Sequence, residues 1–193
     1  SDIDLSNEKV IGLDCEALGL VIGRDPLTLI QLGLESKKYY LIKLNRKTYS
    51  APNLIKVLSN PNTQFIMHYA RQDLLWIKYH LKIEVKNIFC TKLCSKIART
   101  AANAHGYKDL VKELCGKDIS KKEQQSDWGD PNLSEKQISY AAQDTEFLFE
   151  IKNKLMKMLI REKRIELFEK CMKVLPVLVD MEIAGYKLST LEH

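Results

Sequence analysis

The chain has 193 residues, 45% of them apolar, with 30 Lys and Arg against 25 Asp and Glu and a formal net charge of +5. That length and apolar content suffice for one ordinary hydrophobic core, and the dispersed basic excess favours an anionic partner without naming it. No apolar run approaches the roughly 20 residues of a membrane helix, and the opening SDIDLSNEKV lacks the basic-then-apolar order of a signal peptide. A single soluble domain over residues 1–190 is therefore expected, with no role in a membrane and no protein partner to infer; Ser1 resembles a cloning scar and the final Leu-Glu-His a tag remnant. Five cysteines at irregular spacing, an odd number, are expected to be reduced thiols in the cytoplasm.

In chain order, KVIGLD, LTLIQLGL and KYYLIKL read as three strands separated by the turns GRDP and ESKK, a meander. SAPNLIKVLSN follows as a helix, with Ser50 as its cap, Pro52 in the first turn, and Leu54, Ile55 and Leu58 on one face. TQFIMH is a short buried strand and residues 70–81 a helix with Leu74, Ile77 and Leu81 inward. VKNIFCT is a fifth strand, and helix is expected throughout after Lys92. The order β-β-β-α-β-α-β and then helices predicts an α/β fold: a mixed five-stranded sheet flanked by helices, with a helical C-terminal half and no internal repeat.

Asp14 and Glu16, in the first strand's VIGLDCEALGL, point to one face because strand side chains alternate. Two such charges are either ordinary acids at an exposed strand end or hard-oxygen ligands for a divalent cation, and only further carboxylates decide between them. Asp73 lies in the first turns of the helix after FIMH. Asp144 lies in LSEKQISYAAQDTEFLFEI, where Ser134 and Gln137 have the spacing of a capping box and Leu133 and Ile138 that of a hydrophobic staple. In that register Tyr140 and Asp144 are an i, i+4 pair on the face that continues as Leu148 and Leu155, so a hydroxyl and a carboxylate point toward the core and require a polar reason.

The segments LDCEALGL, HYARQDLLWI and YAAQDTEFLFEI, in that order, resemble the three exonuclease motifs of the DEDD superfamily in its tyrosine branch, where the last motif is Y-x-x-x-D. NIFCTKLCSKIART, the block from HGYKDL to AAQDT, and MLIREKRIELFEKC are more similar to ribonuclease D-type proteins than to the proofreading domains of DNA polymerase I, over about Val10 to Gly185. The resemblance implies a ribonuclease-H-like fold, two divalent ions (Mg²⁺ or Mn²⁺), and removal of nucleoside 5′-monophosphates from single-stranded 3′ ends, of RNA in preference to DNA. It also implies that Asp14 bridges both metals, that Glu16 and Asp144 complete the first site, that Asp73 supports the second, that Glu16 accepts a hydrogen bond from the 3′-hydroxyl, and that Tyr140 orients the attacking water. Such a pair of ions acidifies water and steadies the leaving oxygen. The chain departs from the family in having Cys15 where threonine is usual, a side chain expected to face away from the metals. The sequence also stops short of the helical nucleic-acid-binding domains that follow the nuclease in full-length ribonuclease D, so a compact single-domain relative is expected.

Other residues carry weaker signals. His68, at the end of a strand beside the second motif, is either a substrate contact or a satisfied histidine. Trp128 in QQSDWGDP is either a stacking platform for a base or a packing residue. Cys90 and Cys94 lack the second ligand pair that zinc needs and are expected in the core. Arg71, Lys108 and the Lys121–Lys122 pair could meet phosphates or lie on an ordinary solvated face. Two further classes stay open: a DNA 3′-5′ exonuclease and a catalytically silent nucleic-acid-binding module.

Overall fold

The computed structural model describes residues 4–119 and 126–191. Among these, five strands form one sheet in the order β3-β2-β1-β4-β5, namely β1 (Val10–Ala17), β2 (Leu27–Gly33), β3 (Tyr39–Lys43), β4 (Gln64–Met67) and β5 (Ile88–Cys90). The first three pair antiparallel, as the short turns between them require, and β4 and β5 extend the sheet in parallel from β1. The sheet is thus mixed, as expected. Every position of β2 is buried, because helices cover both faces of the sheet there.

Helix α1 (Pro52–Leu58) precedes β4, and α2 (Ala70–Leu81) makes the crossover from β4 to β5. Then come α3 (Thr91–Ala98), α4 (Tyr107–Leu110), a π-helical turn at Val111–Cys115, α5 (Glu135–Glu146), α6 (Leu148–Arg161), α7 (Ile165–Ile183) and a 3₁₀ turn at Leu188–Leu191. Helix α5 lies across β1, β2 and β3, while α2 packs between the sheet and α7. The inward stripe of α7, Phe168, Met172, Leu175 and Val179, has the i, i+4, i+7, i+11 spacing of one helix face.

Two glycines decide how close α5 comes. Gly12 of β1 and Gly33 of β2 are directly paired, and a methyl group on either would meet Thr145: its carbonyl oxygen at 3.2 Å from position 12 and its Oγ1 at 2.5 Å from position 33. The absence of both side chains lets the end of α5 rest on the sheet backbone. Asp14 and Glu16 follow Gly12 at two-residue steps and so point to this same face, whereas Ile11, Leu13 and Cys15 point to the face covered by α2.

Several local expectations need correction. Ala51, not Ser50, is the N-cap of α1, with no side-chain cap, and Pro52 supplies the first helical position. The run after Ser134 is two helices broken at Phe147. Helix is not continuous after Lys92: among the described residues, 99–106 and 126–134 are irregular. The capping box forms, with Gln137 N–H on Ser134 Oγ at 3.2 Å and Ser134 N–H on Gln137 Oε1 at 2.9 Å. The staple does not form, since Ile138 is exposed while Leu133 packs beside Leu29, Trp128 and Ala141. Cys90 and Cys94 are buried in the core, and all five cysteines are free thiols. Lys121 and Lys122 lie outside the described residues. No helix among those described is long and apolar enough to cross a membrane.

Candidate active site

Each carboxylate reaches the site by a different element. Asp14 and Glu16 stand two apart on β1, and Asp144 descends from α5, which Thr145 seats on the paired glycines. One oxygen from each of these three carboxylates lies within 4.8 Å of the other two. Asp73 enters from the first turn of α2 and is 4% exposed. It lies close enough to Asp14 for its charge to raise that carboxyl's pKa.

Cys15 points away from Asp14 and Glu16, as strand alternation predicts, but toward Asp73. It lies against the Asp73 carboxylate, whose charge, after burial, raises the thiol, because the face of β1 opposite Asp14 is the one that α2 covers. The site therefore wraps around the end of β1, with Asp14, Glu16 and Asp144 on one face and Asp73 reaching it from the other.

Electrostatically the cluster is unfinished. Among the described residues none of the four carboxylates forms an ion pair. Burial, and then the charges of Asp73, Asp144 and Glu16, raise Asp14 well above the usual carboxylate range. Burial and the neighbouring charges of Asp144 and Asp73 push Glu16 up to about 9, and burial pushes Asp144 up to about 7 against the lowering effect of the adjacent Tyr140 hydroxyl. Burial likewise raises Asp73. Gln31, opposite Asp14 on β2, gives Glu16 Oε1 a long hydrogen bond of 3.4 Å, and its own Oε1 is buried with no partner. Converging hard oxygens, mutual repulsion and an orphaned buried acceptor together fit divalent cations with oxygen ligands.

The Tyr140 hydroxyl stands beside Asp144, one turn further along α5, and the two shift each other's titration. Burial and the charges of Asp144, Glu16 and Asp14 hold it protonated, far above an ordinary phenol. Its ring lies 5.9 Å from that of Trp128. Trp128 is not available as a stacking platform: it is 2% exposed and packs on Leu29 and Ala141. Its loop is tied to α5 by Gln137, whose Nε2 donates to Asp127 O at 3.0 Å. The tryptophan walls the tyrosine instead.

His68, just past β4, is half-buried, with Nδ1 2.9 Å from Thr91 Oγ1 and its ring 5.6 Å from that of Tyr107. Arg71 is engaged within the protein, in an ion pair with Glu182 of α7 and donating to the Tyr69 hydroxyl at 2.7 Å. Lys108 is half-buried on α4. The sequence reading passed over Tyr69. It caps α2 in the left-handed conformation at φ 65°, is 41% exposed, and carries Lys92 Nζ 4.0 Å from its ring centroid. Its signal was its place, directly after His68 inside the second motif HYARQDLLWI. A cavity of about 630 Å³ between β5, α6 and α7 shares no residue with the carboxylate site.

Residues 3–160 match the family model of the 3′-5′ exonuclease domain. The chain belongs to this family. Ribonuclease D of Gluconacetobacter diazotrophicus is 32% identical over 165 residues, 84% of this chain and 41% of that protein. The exosome complex exonuclease RRP6 of Saccharomyces cerevisiae is 28% identical over 164 residues, 84% of this chain and 22% of that protein. The chain thus spans less than half the length of these curated relatives. Among solved structures, a nuclease in its apo form is 35% identical with a TM-score of 0.94, over 100% of this chain and 95% of that one. NrnC of Brucella melitensis with bound Mg²⁺ is 32% identical with a TM-score of 0.92, over 98% and 92% of the two chains. Escherichia coli RNase D, 22% identical with a TM-score of 0.75, shares the ribonuclease-H-like fold.

Proposed function

We propose that this chain is a divalent-metal-dependent exonuclease that removes nucleoside 5′-monophosphates one at a time from 3′ ends, of RNA in preference to DNA, with residues 1–190 as the exonuclease domain. The observation that carries the reading is the convergence of Asp14, Glu16 and Asp144 within 4.8 Å and without a cationic partner. Two Mg²⁺ or Mn²⁺ ions would be held by these three carboxylates together with Asp73, and when bound they acidify water and neutralise the phosphate. A cytoplasmic setting is part of the reading, supported by the five free thiols.

The chain's own residues then have distinct tasks. Tyr140, kept protonated, hydrogen-bonds the attacking water and fixes its line of approach to phosphorus. As the new P–O bond forms and the P–O3′ bond breaks, the attacking water releases one proton to solvent and the departing 3′ oxygen takes one up from solvent, so that protons balance. Glu16 accepts a hydrogen bond from the terminal 3′-hydroxyl, which sets the direction of digestion. Tyr69, with Lys92 over its ring, offers an exposed face and a positive charge for the strand beyond the scissile bond, and His68 beside it is a second contact. The names ribonuclease D and RRP6 support RNA as substrate, as does a Brucella melitensis NrnC structure bound to pGG, 32% identical to this chain.

The test uses 5′-labelled RNA and DNA of one sequence, each with a 3′-hydroxyl or a 3′-phosphate, together with pGG, at one salt concentration and with or without EDTA. The expected outcome is Mg²⁺-dependent stepwise shortening, faster on RNA, and strongly slowed by a 3′-phosphate, whose roughly −1.5 to −2 charge would sit beside Glu16. Internal fragments, or equal rates on both kinds of end, contradict the exonuclease reading. Faster digestion of DNA overturns the choice of substrate.

A further inference from the structure

Helices α5 and α6 are one helical run interrupted at Phe147, and the interruption has a cause on another element. In an unbroken helix the Phe147 N–H would donate to the carbonyl of Gln143. The Tyr107 hydroxyl stands between them instead: it accepts from Phe147 N–H at 3.2 Å and donates to Gln143 O at 2.7 Å. A side chain inserted into the helical ladder is a known cause of a kink. Gln143, whose carbonyl it holds, immediately precedes Asp144.

Tyr107 is well placed to hold that position. It opens α4 behind Gly106, whose N–H donates to Asp109 Oδ2 at 3.2 Å. Its ring lies 5.6 Å from that of His68, which is itself paired with Thr91. On the far side of the break, Leu148 is fully buried, and Thr145 rests on Gly12 and Gly33. The two half-helices are therefore each fixed by the core, and the hydroxyl joins them. Burial keeps that hydroxyl protonated, so it remains a donor to Gln143.

We infer that Tyr107 is a positioning residue for Asp144: by bridging the Gln143 carbonyl and the Phe147 N–H, it sets the angle between α5 and α6 and so the reach of Asp144 toward Asp14 and Glu16. This inference rests on the carboxylates being a metal site. Without the bridge, the ladder closes on itself and the last turn of α5 rewinds, which turns Asp144 relative to its partners on β1.

The experiment compares the full chain with Tyr107→Phe, Tyr49→Phe and Asp144→Asn, measuring Mn²⁺ affinity by titration and by electron paramagnetic resonance, Mg²⁺ dependence of cleavage, and melting temperature. Tyr49 also donates its hydroxyl to a backbone carbonyl, Leu27 O at 3.1 Å, and controls for the general cost of losing such a bond. Tyr107→Phe is expected to weaken Mn²⁺ binding about 10-fold, the lower end of what loss of a ligand-orienting partner costs. It should raise the Mg²⁺ needed for half-maximal cleavage by a similar factor, with kcat largely recovered at saturating Mg²⁺. Tyr49→Phe should keep wild-type Mn²⁺ affinity. Wild-type affinity in Tyr107→Phe, alongside weakened binding in Asp144→Asn, overturns the positioning role alone. Unchanged affinity in Asp144→Asn overturns the metal site and this inference with it. Should Tyr107→Phe not fold, hydrogen exchange at the Phe147 amide of the wild-type chain decides: slowing by Mn²⁺ of about 10-fold supports the link, and an unchanged rate overturns it.

Discussion

Replacing Gly33 by alanine tests whether the sheet sets the height of α5 and hence the position of Asp144. The new methyl group would stand 2.5 Å from Thr145 Oγ1 and 2.8 Å from Thr145 Cβ. Carbon contacts are comfortable at about 3.5–4.0 Å, so α5 has to retreat by about 1 Å. Thr145 cannot simply turn aside, since it is fully buried and its Oγ1 already donates to Ala142 O at 3.2 Å. Overpacking of this kind costs about 1–3 kcal/mol, which lowers the melting temperature by about 2–4 °C per kcal/mol in a domain of this size. Asp144 moves with its neighbour, and a misplacement of about 1 Å costs on the order of 10²-fold in rate. The assay pairs thermal melting with initial rates of nucleotide release at saturating Mg²⁺. Adding Thr145→Ala to Gly33→Ala removes the nearest clashing atom and should recover part of both losses. Gly116→Ala serves as a contrast: Gly116 has φ +66° with nothing within 4 Å of a new methyl, so that variant should lose stability without losing cleavage. A Gly33→Ala protein that melts and cleaves like wild type would refute the reasoning.

Other expectations follow from the carboxylates and the tyrosine. Asp14→Ala and Asp144→Ala should each abolish measurable cleavage while melting no lower than wild type in EDTA, because one of several repelling charges is gone; a fully active Asp14→Ala protein rules the metal site out. Tyr140→Phe keeps the ring against Trp128 and should slow cleavage about 10²- to 10⁴-fold, and an unchanged rate makes the tyrosine structural. In EDTA, the raised folded-state values of Glu16 (about 9) and Asp144 (about 7) mean that the folded cluster retains protons the unfolded chain has released. Metal-free stability is then complete below about pH 4 and falls as pH rises toward 9; a gap between melting curves with and without Mg²⁺ that shrinks between pH 5 and pH 8 contradicts this. Ca²⁺ should bind yet support little turnover, because its longer and looser coordination misplaces water and phosphate, and equal rates in Ca²⁺ and Mg²⁺ count against the geometric argument.

What the sequence by itself determined is local in origin. Alternation placed Asp14 and Glu16 on one face of a strand, helical spacing bounded α2 at residues 70 and 81, and the capping box of Ser134 and Gln137 fixed the register that joins Tyr140 to Asp144. Each of these is written within a few neighbouring residues, where backbone geometry alone sets which side chains share a face. The three motifs, taken together, then pointed to the family.

Only the tertiary structure decided the rest. Cys15 turned out to lie against Asp73, because the face of β1 opposite Asp14 is covered by α2, the helix that carries Asp73. Trp128 became a wall for Tyr140 once Gln137 tied its loop to α5. Arg71 was claimed by Glu182, 111 residues along the chain. The glycine pair beneath Thr145 joins residues 112 and 133 positions apart, and the hydroxyl of Tyr107 within the break at Phe147 joins residues 36 and 40 apart. Such contacts leave no period or spacing in the sequence. Their geometry comes from how separate elements stack, and the packing of the core is what brings them to within hydrogen-bonding distance of the residues that the motifs had already marked.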